Sequence, residues 1–133
     1  MSEQISIAGG WLGTYAYQGP PTRFEATFTP ALGEGRFSGT ILDDGRLGEA
    51  NATGSQTGRE VRFVKLYLRP GMAPVAYQGT LSEDGRTLTG TWRIGADAQG
   101  IWDAHRLWSE AADNQTILEE AAETGLVTIG MGG

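Results

Sequence analysis

The chain has 133 residues, no cysteine and a formal net charge of −6. That length suits one domain with a single core, and the missing thiols exclude a disulfide scaffold and a thiolate metal site. The acidic balance argues against nucleic acid and against an anionic membrane surface as partners, because both need a basic face.

The first residues, Met1-Ser2-Glu3-Gln4, show neither a basic region nor an apolar leader pattern. With no cysteine, this reads as a cytoplasmic protein. No apolar run approaches membrane-spanning length.

From Gly10 to Trp108 the chain reads as eight extended segments: 10–17, 22–30, 35–43, 47–54, 59–68, 74–82, 87–95 and 100–108. Several alternate with the period of two that marks half-buried strands. Phe24, Ala26 and Phe28 share one face, while Arg23, Glu25 and Thr27 share the other. Val61, Phe63, Lys65 and Tyr67 fall together, as do Leu88, Gly90, Trp92 and Ile94.

The breaks between segments are turn signals. Asp44-Gly45 and Asp84-Gly85 supply the positive φ of tight hairpins. Gly19-Pro20-Pro21, Pro70-Gly71-Met72-Ala73-Pro74 and Gly95-Ala96-Asp97-Ala98-Gln99 are loop compositions. Every connection is too short for a parallel crossover, so the strands run as an antiparallel meander. A flat sheet of eight would leave two bare edges and an uncovered side. Closure into an up-and-down β-barrel removes both problems and leaves an interior wide enough for side chains or one small ligand.

After Trp108 the pattern changes. Asp113-Asn114 can cap a helix over Ile117-Leu118-Glu119-Glu120-Ala121-Ala122-Glu123, and Gly125 can stop it. The expected organisation is therefore an all-β barrel over residues 1–108. Residues 109–133 form a short helix or tail that packs on the barrel or mediates a homodimer.

Gly9-Gly10-Trp11 in the first segment and Arg106 in the last resemble the calycin superfamily of lipocalins, fatty-acid-binding proteins and avidins. Phe37-Ser38-Gly39-Thr40, Tyr77-Gln78-Gly79-Thr80 and Thr89-Gly90-Thr91-Trp92 are similar to avidin-type strands. The resemblance spans roughly residues 9–108. It implies that Arg106 packs against Trp11 and closes one end of the barrel. It carries over no ligand residues.

Catalytic signatures such as H-E-x-x-H, G-x-S-x-G and a phosphate-binding loop are missing. The carboxylates Asp43-Asp44 and Glu83-Asp84 fall at turns, where a solvated role is expected. His105, with Asp103 two residues away, could hold haem iron, but if Arg106 points inward His105 points out to the surface.

The segment Phe63-Val64-Lys65-Leu66-Tyr67 is the most informative. If its Lys65 face is inside, an ammonium enters an apolar cup and must meet a carboxylate, a phenol or a bound anion. Otherwise it reaches the barrel mouth along its own stem. The candidate inward positions on neighbouring strands, Phe24, Phe28, Tyr77, Trp92 and Ile94, hold no carboxylate, which leaves Tyr hydroxyls, water or a ligand anion.

The expected ligand-binding set is Lys65, Phe63, Tyr67, Tyr15, Tyr77 and Trp92, with Tyr17 and Trp102 as further aromatic lining. The expected function is non-enzymatic binding of a small apolar molecule, with an anionic head a further option. The alternatives are an interaction module whose barrel is filled by its own side chains, and a haem-binding barrel enzyme. No resident cofactor or metal is expected.

Overall fold

A computed structural model describes residues 5–109. Eight strands follow one another: β1 (Gly9–Ala16), β2 (Thr22–Pro30), β3 (Arg36–Asp43), β4 (Glu49–Thr57), β5 (Glu60–Tyr67), β6 (Val75–Leu81), β7 (Thr87–Ile94) and β8 (Ala98–Ser109). Each pairs antiparallel with the next, and β1 pairs antiparallel with β8, closing the barrel. The expected helix or tail lies outside the described residues, apart from Ser109. No helix among the described residues is long and apolar enough to cross a membrane.

Turn chemistry places the strand ends. Gly45 and Gly85 adopt φ of 91° and 76°, the left-handed region that their Asp-Gly signals anticipate. At the β6–β7 loop, Ser82 Oγ donates to Asp84 Oδ1 at 2.6 Å, and Arg86 N donates to the same oxygen at 3.0 Å. β4 runs three residues beyond the segment read from sequence. Its last turn lacks apolar alternation, but Gln56 N donates to Gly35 O at 2.8 Å and keeps the backbone extended.

The lumen is packed in three levels. At the closed end, Trp11 Nε1 donates to Ile7 O at 2.9 Å. The Arg106 guanidinium carbon stands 4.5 Å from the Trp11 ring centre. Arg106 also donates to the carbonyls of Gly85, Ala8 and Ser6 at 2.8, 3.0 and 2.7 Å. The expected Trp11–Arg106 contact is present, and it also ties the N-terminal segment to the β6–β7 loop. Gln56 completes the plug: its Oε1 accepts from Ile7 N, and its Nε2 donates to Ile5 O and Gly58 O.

The middle level is a run of touching rings. Phe28 meets Phe37 and Phe63 at 5.2 and 5.4 Å, and Phe63 stacks on Tyr77 at 4.7 Å. Trp102 packs edge-on against both Phe63 and Tyr77. A Cβ at Gly79 would stand 2.6 Å from Trp102 Cζ2, so the missing side chain is what admits the indole. The third level, at the open end, holds the polar cluster.

Candidate functional site

The open end is framed by the loops after β1, β3, β5 and β7. By alternation β3 turns Phe37, Ile41 and Asp43 inward, and β5 turns Val61, Phe63, Lys65 and Tyr67 inward. β4 stands between these strands. It contributes only Ala50, Ala52, Gly54 and Gln56 to the lumen face, with the two alanines nearest the open end. These short side chains leave room for Asp43 and Lys65 to meet across the strand between them.

They form a closed pair. Lys65 Nζ lies 2.7 Å from Asp43 Oδ1 and 2.9 Å from Oδ2, with both side chains shut off from solvent. Asp43 Oδ2 also accepts from the hydroxyl of Tyr15 at 2.8 Å and from the hydroxyl of Tyr67. Lys65 makes a long contact of 3.5 Å to the Tyr77 hydroxyl. Four rings surround the ammonium, with the centres of Tyr67 and Tyr15 at 4.7 and 4.8 Å and those of Tyr77 and Phe24 at 5.6 and 5.8 Å. Such contacts partly replace lost hydration for the cation.

Two expectations are corrected here. The lumen does hold a carboxylate, so the charge on Lys65 is met within the chain and requires no ligand anion. Asp43 is not a solvated turn residue either. It is the last residue of β3 and is 3 % exposed, whereas Asp44 next to it is exposed. The alternation of Phe37, Ile41 and Asp43 carried this signal, and the Asp-Asp-Gly turn signature masked it.

Burial governs the protonation of the cluster. Loss of hydration pulls the Lys65 ammonium below its ordinary value, and the Asp43 carboxylate offsets part of that. Burial pushes the Tyr67 phenol well up, reinforced by its hydrogen bond to Asp43. Tyr77 rises for the same first reason, with the Asp43 charge adding to it. Tyr15 rises chiefly by burial. At neutral pH the three phenols are therefore neutral, and Asp43 and Lys65, paired at 2.7 Å, add no net charge to the assembly.

The expected site residues separate into groups. Lys65, Tyr15, Tyr67 and Tyr77 gather around Asp43. Phe63 stacks on the ring of Tyr77, its register partner on β6. Trp92 stands to the side, edge-on to Tyr15 at 6.3 Å and to Tyr17 at 5.6 Å. Tyr17 is at the rim and about half exposed. Trp102 is deep, with its Nε1 donating to the carbonyls of Gln78 and Thr91 at 3.1 and 3.2 Å. His105 is exposed on the outer face, and Asp103 beside it accepts from Thr14 Oγ1 at 3.3 Å. His105 therefore offers no iron ligand to the lumen.

Trp92 differs from every other buried polar side chain among the described residues: its Nε1 has no hydrogen-bond acceptor. The ring lies against Gly100, where a Cβ would stand 2.7 Å from Trp92 Cε2. A hollow of about 650 Å³ opens to solvent at this part of the rim, lined by Tyr17, Gln18, Arg93, Asp97 and Gly100 among others.

Compared with family models, with curated proteins and with solved structures, the chain matches none.

Proposed function

We propose that this chain is a non-enzymatic, calycin-type binding barrel that takes a small, largely apolar and uncharged molecule at its open end. The observation that carries the reading is the unpartnered Trp92 Nε1. A buried donor left unmade costs about 1–3 kcal/mol, and nearly all such groups in native proteins find partners. A ligand carbonyl or ring oxygen would supply the acceptor. Tyr15, Tyr17 and Trp92 would supply aromatic surface for its apolar part.

The internal neutrality of the Asp43–Lys65 cluster supports an uncharged ligand over an anionic one. The cluster also supports function over mere filling. Apolar residues of similar volume would hold a barrel at least as well as a buried ion pair. Its phenols offer oriented polar atoms beneath the mouth.

Titration with a neutral naphthyl ketone fluorophore tests the reading. Saturable binding is expected, with a shift of the Trp92 indole N–H resonance. Trp92→Phe should weaken binding by about tenfold or more, equivalent to about 1.4 kcal/mol. An absence of saturable binding, or binding that leaves the indole resonance and the Trp92→Phe affinity unchanged, would overturn it.

A second reading is an interaction module with a filled barrel. It is favoured by the touching rings of the middle level and by the pairing of Lys65 within the chain. A null result in the same titration would move the assignment to it.

A further inference from the structure

The two Asp-Gly dipeptides close different hairpins and stand in opposite surroundings. Gly85 is buried beneath Ile5, where a Cβ would stand 2.7 Å from Ile5 Cγ2. Its amide N donates to Ser82 O at 2.9 Å, and its carbonyl accepts from Arg106 Nε at 2.8 Å. Asp84 Oδ1 accepts from Ser82 Oγ and from Arg86 N at 2.6 and 3.0 Å. These donations, that of Ser82 first, hold the Asp84 carboxyl below its ordinary value, as an anion.

The β3–β4 loop has none of these restraints. Asp44 and Gly45 are both exposed. Among the described residues, neither the Asp44 side chain nor the Gly45 amide N has a hydrogen-bond partner. A Cβ at Gly45 would meet nothing within 4 Å. Glycine also puts no side chain of its own beside the amide, so another group approaches that nitrogen freely. The loop is nonetheless anchored at its base, where Asp44 N donates to Arg23 O at 2.9 Å and Asp43 N donates to Gly48 O at 3.0 Å.

An aspartic acid side chain beside a free amide can condense with it. The Gly45 nitrogen attacks Asp44 Cγ and forms an N–Cγ bond. The carboxyl hydroxyl leaves with the amide proton as water, and a succinimide ring remains. Water then adds to one of the ring carbonyls. Breaking the N–Cγ bond restores aspartate. Breaking the bond from the nitrogen to the main-chain carbonyl carbon leaves isoaspartate, in which the chain runs through the former side chain. Water is released once and taken up once, so no other reactant is needed. At Asp84 the anion offers no hydroxyl to leave, and the Gly85 nitrogen is already engaged.

We propose that Asp44 is a site of isoaspartate formation in the folded chain, and that Asp84 is protected from it. The new linkage lengthens the backbone between Asp44 and Gly45. It does so inside a loop whose base is pinned by Arg23 O and by the Asp43–Gly48 bond, directly after Asp43. The modification therefore loosens the end of β3 that presents the Asp43 carboxylate to Lys65, and it lowers stability. What the barrel mouth binds has no part in this inference.

Ageing of the full-length chain tests it. The folded protein is held for weeks at physiological temperature and mildly acidic pH. Tryptic peptides 37–46 and 66–86, which carry Asp44 and Asp84, are then assayed for isoaspartate by electron-transfer fragmentation. Asp44 should isomerise faster than Asp84 by about fivefold or more, which is about 1 kcal/mol of barrier. In the chain unfolded in urea the two rates should converge, because both residues then sit in the same dipeptide. Ser82→Ala should raise the rate at Asp84 in the folded chain and leave the rate at Asp44 unchanged. Equal rates in the folded chain overturn the proposal. So does a difference that persists in urea, which would belong to the neighbouring sequence and not to the fold. Chain carrying isoaspartate at position 44, separated by chromatography, should unfold at a lower urea concentration than the parent. An unchanged midpoint overturns the effect on the end of β3.

Discussion

Asp43 and Lys65 reach each other from β3 and β5 across the short side chains of β4, and no solvent reaches either. The pair organises the open end: three phenols orient around it, two of them donating to the same carboxylate oxygen. A charge pair removed from water in this way gains from its attraction but loses hydration on both sides. The loss of one member is therefore the severe event, because it strands the other.

Lys65→Met is expected to destabilise the fold by about 3–5 kcal/mol, the usual consequence of leaving a buried charge uncompensated. Asp43→Leu should do the same. The double variant Asp43→Leu, Lys65→Met should be markedly more stable than the sum of the two losses predicts. Urea denaturation of the four proteins measures this. Additive losses would show that the pair is not energetically coupled in the folded chain.

At the other end, Trp11→Ala should cost about 3–5 kcal/mol through the cavity left by a fully buried indole. Arg106→Ala should cost less. It removes three donations to backbone carbonyls and the contact with Trp11, but its guanidinium is only half-buried and solvent can reach the freed groups. Because the two side chains touch, the double variant should depart from additivity by at least about 0.5 kcal/mol. Independence within error would separate plug from closure.

The strands were legible because their signals are local. Alternation of apolar residues assigns faces, Asp-Gly assigns hairpins, and short connections leave an antiparallel meander as the arrangement. Closure followed from the problem of bare edges. Lys65 was legible as an inward cation for the same local reason. Its partner was not, because the contact depends on register across a third strand. Lys65 aligns through Ala52 with Gly39, four residues before Asp43, so the pair meets diagonally over the alanines of β4, and no pattern within one strand shows it. Gln56 was missed in the same way: its role requires the N-terminal segment Ile5–Ile7 to fold across the barrel end, and no short-range pattern announces that. The unpartnered Trp92 Nε1 is likewise a property of the packed lumen, invisible in an alternation that marks Trp92 simply as inward.

Gly79→Ala tests how tightly the middle level is packed. The added methyl would stand 2.6 Å from Trp102 Cζ2 and 2.8 Å from Thr89 O. A destabilisation of about 1–3 kcal/mol is expected, as for overpacking in general. The near-ultraviolet circular dichroism of Trp102 should change with it. Combining Gly79→Ala with Trp102→Phe should relieve the part due to the indole and leave the part due to the carbonyl. A neutral Gly79→Ala would mean that the level yields easily and that the lumen has spare room.

The tyrosines of the cluster make stability depend on alkaline pH. Tyr15, Tyr67 and Tyr77 all hold their protons more tightly when folded, since each is raised from the ordinary value of 10.0. Their contribution is complete below pH 10 and declines above it, because the unfolded chain releases protons that the folded chain keeps. Each retained proton steepens the decline by about 1.4 kcal/mol per pH unit. Lys65 works in the opposite sense. Its value is lowered from 10.5, so the folded chain binds that proton less tightly and stability gains as pH rises through the window below 10.5. Above that window Lys65 no longer opposes the tyrosines. Urea midpoints from about pH 9 to about pH 12 should therefore fall steeply in the upper part of the range. Tyr67→Phe should flatten the slope, because it removes one of the retained protons. Tyrosinate absorbance gives an independent reading. Of the four tyrosines in the chain, these three should ionise in step with unfolding and not before it. Ionisation of all four while the fold remains intact would show that the phenols of the cluster are open to hydroxide, and with them the closed Asp43–Lys65 pair.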